Sequence, residues 1–379
     1  MRFKRLATVA AASVASLCGA LGMVATAQAE PPIKIGQSVV LSGPQAANGL
    51  LYSQGIKVHL DAINAAGGVG GRKIELITLD DGYDPARCKA NTKQLLEQDK
   101  VIALFGYTGS PAIMACAPMA EAAKVPMISP VSGTPELQEH AGRYLFFTRA
   151  SFRDELRAMI DYLTTTGITS YGVTLQDDSF GHSALKIVEE LLAERKLPPP
   201  VSAPVAQQTY EAGASAAAIS KVAPQAVILA TGGKASVNFI RDYLKTGKRA
   251  QFLGLSVVSS NQLVQELGKD ADGIIVTQVV PSPWAKKTQI VRDFYRELGE
   301  RKDVEINYFT LEGYIAARVL VEAVRRAGPE VSPERLVQAL ESMRKLNLGG
   351  YEVNFGPGVR AGSSYVDLSM VRSDGRYVQ

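Results

Sequence analysis

Histidine is scarce in this 379-residue chain: His59, His140 and His182 are the whole supply. None stands at a spacing that builds a catalytic triad or a metal site, and His59 reads as a packed or solvated helix residue. No Gly-x-Ser-x-Gly elbow occurs, so the serine nucleophile of an α/β-hydrolase has no turn to sit on. Gly232-Gly-Lys-Ala-Ser236 carries the tail of a phosphate loop but lacks its first glycine, which removes the cradle a nucleotide needs. Cysteine is limited to Cys18, Cys88 and Cys116, with no Cys/His zinc spacing. These gaps leave no catalytic set, no cofactor and no metal to expect. The chain reads as a non-enzyme, and a secreted hydrolase stands last among its functional readings.

Long apolar runs are missing too, once the N-terminus is set aside. Arg2, Lys4 and Arg5 precede an alanine-rich run from Leu6 to Ala25, closed by Ala27-Gln28-Ala29. That order is a secretory signal peptide, with cleavage expected after Ala29. Its small residues and cleavage motif disfavour a membrane anchor, and Cys18 lacks the leucine-rich setting of a lipoprotein cysteine. No later stretch is long enough to span a bilayer. The leader takes away three basic residues and no acidic ones, so 41 Lys+Arg against 37 Asp+Glu becomes 38 against 37. A nearly neutral mature chain disfavours nucleic-acid partners and a basic membrane-surface module.

What is present is a repeated β-then-α rhythm. Ile33 to Leu41, Lys73 to Leu79, Val101 to Phe105, Val125 to Ser129 and Tyr144 to Thr148 are short apolar strand runs. Helical spacing covers Leu50 to Ala66 and Pro85 to Gln98 between them. The rhythm restarts after a helix from Phe152 to Thr166. Strands follow at Ser170 to Leu175, Val201 to Ala206, Ala226 to Thr231, Gln251 to Leu255 and Gly273 to Val279. Two series of βα units predict two parallel sheets and two similar lobes. Amphipathic helices (Lys286 to Arg301, Tyr308 to Ala327) and late strands (Gly350 to Phe355, Tyr365 to Arg372) suggest that the chain crosses back between lobes.

Polar turns close many of these strands. The most informative is Tyr107-Thr-Gly-Ser110, where Ser110 before Pro111 predicts an N-cap with proline at the first helical position. Free N–H groups and the positive helix end would point outward there, where open α/β sheets bind ligands. The turns carry aromatic residues, Tyr107, Phe152, Phe180, Trp284 and Tyr308, and facing turns of two lobes make a cleft for a small organic ligand. The other reading of each aromatic is core packing. Asp80/Asp81 and Asp177/Asp178 read as loop caps and rim hydrogen-bonders. Cys88 and Cys116 fall in helices that lie side by side in a sheet of order 2-1-3-4-5. A disulfide and two buried thiols are both compatible with that placement.

The residues also carry a resemblance. Ile33-Lys-Ile-Gly-Gln with Leu41-Ser-Gly-Pro44, Ile63-Asn-Ala-Ala-Gly-Gly68, Arg72-Lys-Ile and Asp80-Asp-Gly-Tyr-Asp-Pro85 resemble type I periplasmic solute-binding proteins. More narrowly they resemble the leucine/isoleucine/valine-binding family of ABC importers. Ile128-Ser-Pro-Val-Ser-Gly-Thr-Pro-Glu136 and Gln176-Asp-Asp-Ser-Phe-Gly181 extend the match over essentially the whole mature chain. The resemblance implies an α/β fold of two Rossmann-like lobes joined by three crossings, closing on a ligand in the cleft between them. Residues 30–148 with 279–345 would form the first lobe, and 149–278 with 346–379 the second. It also implies a periplasmic monomer with a small-molecule ligand and a membrane ABC permease as partners.

Carried over by position, the family's ligand carboxylate would lie on backbone and hydroxyl groups of Tyr107, Thr108, Gly109, Ser110, Val131, Ser132, Gly133 and Thr134. Lys234, which stands at a second-lobe aromatic position of the family, is a further contact. Asn48 falls where amino-acid binders often place an aromatic, and Phe180 matches a second-lobe aromatic without its phenol hydroxyl. Tyr107 and Phe180 would line the apolar part. Ser256 stands near the position of the acidic residue that pairs with the ligand's α-ammonium. A buried ammonium without a counter-ion is costly, so the expected ligand is an aliphatic or aromatic acid. A branched-chain or other amino acid is the alternative. A sensory receptor domain is another, although such a domain normally continues into a transmembrane or kinase segment.

Overall fold

The computed structural model describes residues 30–378 except 140, 141, 373, 375 and 376. The signal-peptide reading of residues 1–29 and His140 lie outside the described residues. The first series runs β1 (Ile33–Val39), α1 (Ala46–Ala65), β2 (Ile74–Asp80), α2 (Pro85–Glu97) and β3 (Ala103–Phe105). It continues with α3 (Ser110–Ala123), β4 (Met127–Ile128), the single turn α4 (Pro135–Gln138) and β5 (Leu145–Phe146). These strands form a parallel sheet of order β2-β1-β3-β4-β5. β1 sits inside that sheet, which is why it is buried at every position except Lys34, with Gln37 and Ser38 buried among its apolar residues.

The second series runs α5 (Phe152–Thr165), β6 (Tyr171–Gln176), α6 (Ser179–Glu194), β7 (Val201–Val205), α7 (Gly213–Val222) and β8 (Ala226–Ala230). It ends with α8 (Gly233–Lys245), β9 (Gln251–Gly254), α9 (Ser260–Leu267) and β10 (Ile275–Gln278). After it come α10 (Gln289–Leu298), α11 (Tyr308–Ala327), α12 (Pro333–Glu341), β11 (Leu346–Asn347), β12 (Glu352–Val353), β13 (Asp367–Val371) and β14 (Tyr377–Val378). The second sheet has the order β14-β13-β10-β9-β8-β6-β7, with β13 antiparallel to β10. The helices α9 and α12 were not anticipated from the sequence.

The chain crosses between lobes after β5, after β10 and ahead of β13. Helices α10, α11 and α12 return to the first lobe, where α11 packs along α1. A Cβ on Gly55 would lie 1.8 Å from the Thr310 carbonyl oxygen, and one on Gly313 2.1 Å from that of Tyr52. The two helices therefore touch backbone to backbone, and only glycine fits at the contact. One boundary differs from the expectation. Leu348, Tyr351, Val353 and Phe355 are buried with Phe146 in the first-lobe core, and Phe147 bridges Ala361. Residues 346–361 thus belong to the first lobe rather than the second, because their apolar side chains complete its core.

Local signals explain several helix starts. Asp84 accepts from the Ala86 and Arg87 amides with Pro85 opening α2, and Ser151 with Asp154 forms a capping box on α5. Asn307 and Thr310 do the same for α11. Helices α1, α4, α7, α8 and α10 start without a side-chain cap, and so does α3, where the cap expected of Ser110 does not form. Gly109 stands at the N-cap of α3, and Ser110 begins the helix with its hydroxyl engaged elsewhere.

Candidate functional site

The cleft between the lobes is lined by turns from both. The first lobe supplies Val40, Gln45, Asn48, Tyr52, Tyr83, Thr108 to Ser110 and Val131; the second supplies Phe152, Gln176, Phe180, Gly232 and Val257. Phe309 at the start of α11 completes the wall. Among the described lining residues none carries a formal charge. Aromatic rings and valines make half of the wall, with amides, hydroxyls and glycines between them, the chemistry of a small, largely apolar ligand.

The lobes are closed on each other. Asn48 Nδ2 donates to the Val257 carbonyl at 2.7 Å, and Gln45 Nε2 to Gln176 Oε1 at 3.1 Å. Gln176 Nε2 donates to the Tyr83 hydroxyl at 3.1 Å, and that hydroxyl donates to Asp178 Oδ2 at 3.2 Å. Asp178 also caps α6 through the Phe180 and Gly181 amides. Burial pushes both the Asp178 carboxyl and the Tyr83 hydroxyl above their ordinary ranges. The phenol therefore keeps its proton and acts as a donor across the cleft.

Tyr83 reaches this position through a left-handed backbone, φ +67°. Its ring lies over Gly109, where a Cβ would come within 2.7 Å of Cε2, so glycine leaves the room the ring needs. Such strain in a non-glycine residue marks a position held by its surroundings for use.

Behind the first-lobe turn, three buried hydroxyls close a ring. Ser132 Oγ donates to Thr134 Oγ1 at 3.0 Å, Thr134 Oγ1 to Ser110 Oγ at 2.9 Å, and Ser110 and Ser132 lie 2.8 Å apart. Of the three, Ser110 alone reaches the cleft lining; Ser132 and Thr134 stand behind it. The Ser110 amide makes no hydrogen bond among the described residues, while the Gly109 amide faces the Val131 carbonyl in the parallel bridge between Thr108 and Val131. That leaves one unengaged N–H donor at the positive end of α3. Gly133 faces the crossing: its carbonyl accepts the Phe152 amide at 2.7 Å.

Several expected placements differ. The Tyr107 ring does not line the cleft. It is buried in the first-lobe core, its hydroxyl 3.0 Å from that of Thr92, because the turn directs it down between α2 and α3. Lys234 turns away and pairs its ammonium with Glu266 on α9. Trp284 stacks on Tyr377 and meets Tyr308, apart from the cleft. Ser256 does not line the cleft either, and the absence of a carboxylate beside it holds in sequence but not in space. Glu155 of α5 accepts from the Ser256 amide at 2.8 Å and hydroxyl at 2.9 Å. That carboxylate is 0% exposed and already engaged by Thr277 and Arg149.

Arg149, 1% exposed in the first crossing, lies 3.5 Å from Glu155 of the second lobe and 3.5 Å from Glu312 of α11. Burial raises the Glu312 carboxyl, partly offset by Arg149. One cation thus joins the lobes at their hinge. Gln45, Tyr83, Gln176 and Phe309 were not singled out from sequence. The polar turn Asp80-Asp-Gly-Tyr-Asp-Pro85 around Tyr83 and those around Gln45 and Gln176 were the available signals.

A family model described as periplasmic binding protein matches residues 32–376. A crystal structure of a substrate-binding periplasmic protein from Ralstonia solanacearum is 30% identical, with a TM-score of 0.86, covering 92% of this chain and 99% of that one. An extracellular ligand-binding receptor from Verminephrobacter eiseniae is 26% identical, with a TM-score of 0.84 and coverage of 92% and 100%. Leu/Ile/Val-binding protein homolog 8 of Brucella suis is 23% identical over 363 residues, 90% of this chain and 89% of its own length.

Proposed function

This chain belongs to the type I periplasmic binding proteins of the leucine/isoleucine/valine-binding family, and from that premise we propose that it delivers a small acid to a membrane ABC permease. The ligand would be an aliphatic or aromatic carboxylate, captured by closure of the two lobes. The observation that carries this reading is the combination in one closed cleft of an uncharged, aromatic wall and the unengaged Ser110 amide at the start of α3. The Ser110 amide receives the carboxylate, and on binding the Ser110 hydroxyl, which in the ring donates to Ser132, turns its hydrogen to the ligand. Phe180, Phe152, Tyr52 and the valines cover the apolar body. Ser132, Gly133 and Thr134 hold the turn in place, and Asn48 reports closure to the second lobe.

An amino-acid ligand is the second reading. It is favoured by the Asp178 carboxylate directly behind Tyr83 and Gln176, and by the name of the Brucella suis relative. A thermal-shift screen of the mature protein against aliphatic acids, aromatic acids and amino acids separates the two. The acid reading requires acids to raise the melting temperature. A response confined to amino acids overturns it.

A further inference from the structure

Cys88 and Cys116 are fully buried, and their sulfurs lie 2.8 Å apart as thiols. A disulfide bond is about 2.05 Å long, so the pair stands within about 0.8 Å of bonding. Neither sulfur lines the cleft, and no His/Cys/Asp/Glu group suited to a metal occurs among the described residues. Cys88 lies in the first turns of α2 and Cys116 in the middle of α3, which pack side by side. Between them runs the support of the ligand turn. The Tyr107 hydroxyl meets that of Thr92 at 3.0 Å, and Thr92 Oγ1 donates to the Cys88 carbonyl at 2.8 Å.

We propose that in the exported protein Cys88 and Cys116 form a disulfide that ties α2 to α3 and braces the turn Tyr107–Ser110 from behind. The oxidant is an external dithiol–disulfide exchanger in its oxidised form. One cysteine thiolate attacks a sulfur of the exchanger's disulfide, forming a mixed disulfide and expelling one exchanger thiolate. The second cysteine thiolate then attacks the protein sulfur of that mixed disulfide and expels the other. The two cysteines lose two protons and two electrons; the exchanger takes up both electrons and leaves as a dithiol. Both thiols are out of reach in the folded chain, so the exchange belongs to folding, before α2 and α3 close over the sulfurs. The shared hydrogen bond pushes the Cys88 thiol up and the Cys116 thiol down, so it is burial that keeps an external disulfide from the pair in the native state.

The bond is read directly by mass. Exported wild-type protein, denatured without reductant and treated with iodoacetamide, should take up no label and weigh two hydrogens less than the dithiol. Two labels on protein folded with an oxidised dithiol exchanger overturn the proposal. The brace is read separately. Closing a loop of this length should raise the melting temperature by about 5 °C, so protein unfolded and refolded in reductant, with two free thiols confirmed by mass, should melt lower by that amount and exchange amides faster at the start of α3. A doubly substituted Cys88→Ala/Cys116→Ala protein should ignore reductant. Equal melting and equal exchange in the oxidised and reduced wild type overturn the bracing role. None of these readouts uses a ligand, so they stand or fall apart from the acid-binding reading.

Discussion

The Asn48 side-chain amide of the first lobe donates to the Val257 carbonyl of the second at 2.7 Å. This contact exists only when the lobes are together, so its free energy belongs to closure rather than to folding of either lobe. Asn48→Ala should weaken ligand binding about fivefold to tenfold, the worth of one net hydrogen bond. Titration calorimetry measures the affinity, and small-angle scattering should show a larger radius for the variant. An unchanged affinity would remove Asn48 from the closing mechanism.

Ser110 and Ser132 share a hydroxyl ring but differ in access, since Ser110 alone reaches the cleft lining. Ser110→Ala should cost about tenfold to a hundredfold in affinity for an acid, the range for hydrogen bonds to a charge. Ser132→Ala should cost less. Circular dichroism checks that both variants fold. Equal losses would make the ring a structural support only.

Gly55 sets the spacing of α1 and α11, with the Thr310 carbonyl 1.8 Å from where a Cβ would be. Gly55→Ala must push two helices apart through the first-lobe core, at a cost of roughly 3 kcal/mol or more. Urea unfolding measures it. A loss below 1 kcal/mol (roughly the level of a surface change) would contradict the packing account.

Burial pushes the Asp81 carboxyl up to about 6, despite hydrogen bonds from the Ser38 hydroxyl and Tyr83 amide. The unfolded value is about 3.9. Between roughly pH 4 and 6 the native chain holds a proton that the unfolded chain has lost. Stability should therefore fall as pH rises through that window and level off above it, by roughly 3 kcal/mol at most. Asp81→Asn should flatten the dependence there, which denaturant midpoints taken across the window will show. A slope unchanged in the variant would assign it to another group.

Much of the fold was legible in the chain. The strand runs, Asp84-Pro85 and the restart after Phe152 mark the βα units because each depends on neighbours in sequence. The turn Thr108 to Ser110 was legible for the same reason. Gln45, Tyr83 and Gln176 were not, since each acquires its role only where two lobes meet. Glu155 shows the limit most clearly: it reaches Ser256 from a helix a hundred residues earlier in the chain, |i−j| = 101. Tyr107 erred the other way. Its position on the turn was right, but the direction of its ring is decided by the packing of α2 and α3.

Calorimetry on a matched pair tests the central claim most directly: a branched aliphatic acid and the α-amino acid that differs from it only by the ammonium group. An uncharged cleft with an amide donor at the start of α3 predicts that the acid binds at least about tenfold tighter, because the ammonium would lose its hydration without gaining a free counter-ion. Tighter binding of the amino acid, with the preference lost in Asp178→Asn, would contradict the account and make Asp178 the ammonium's partner.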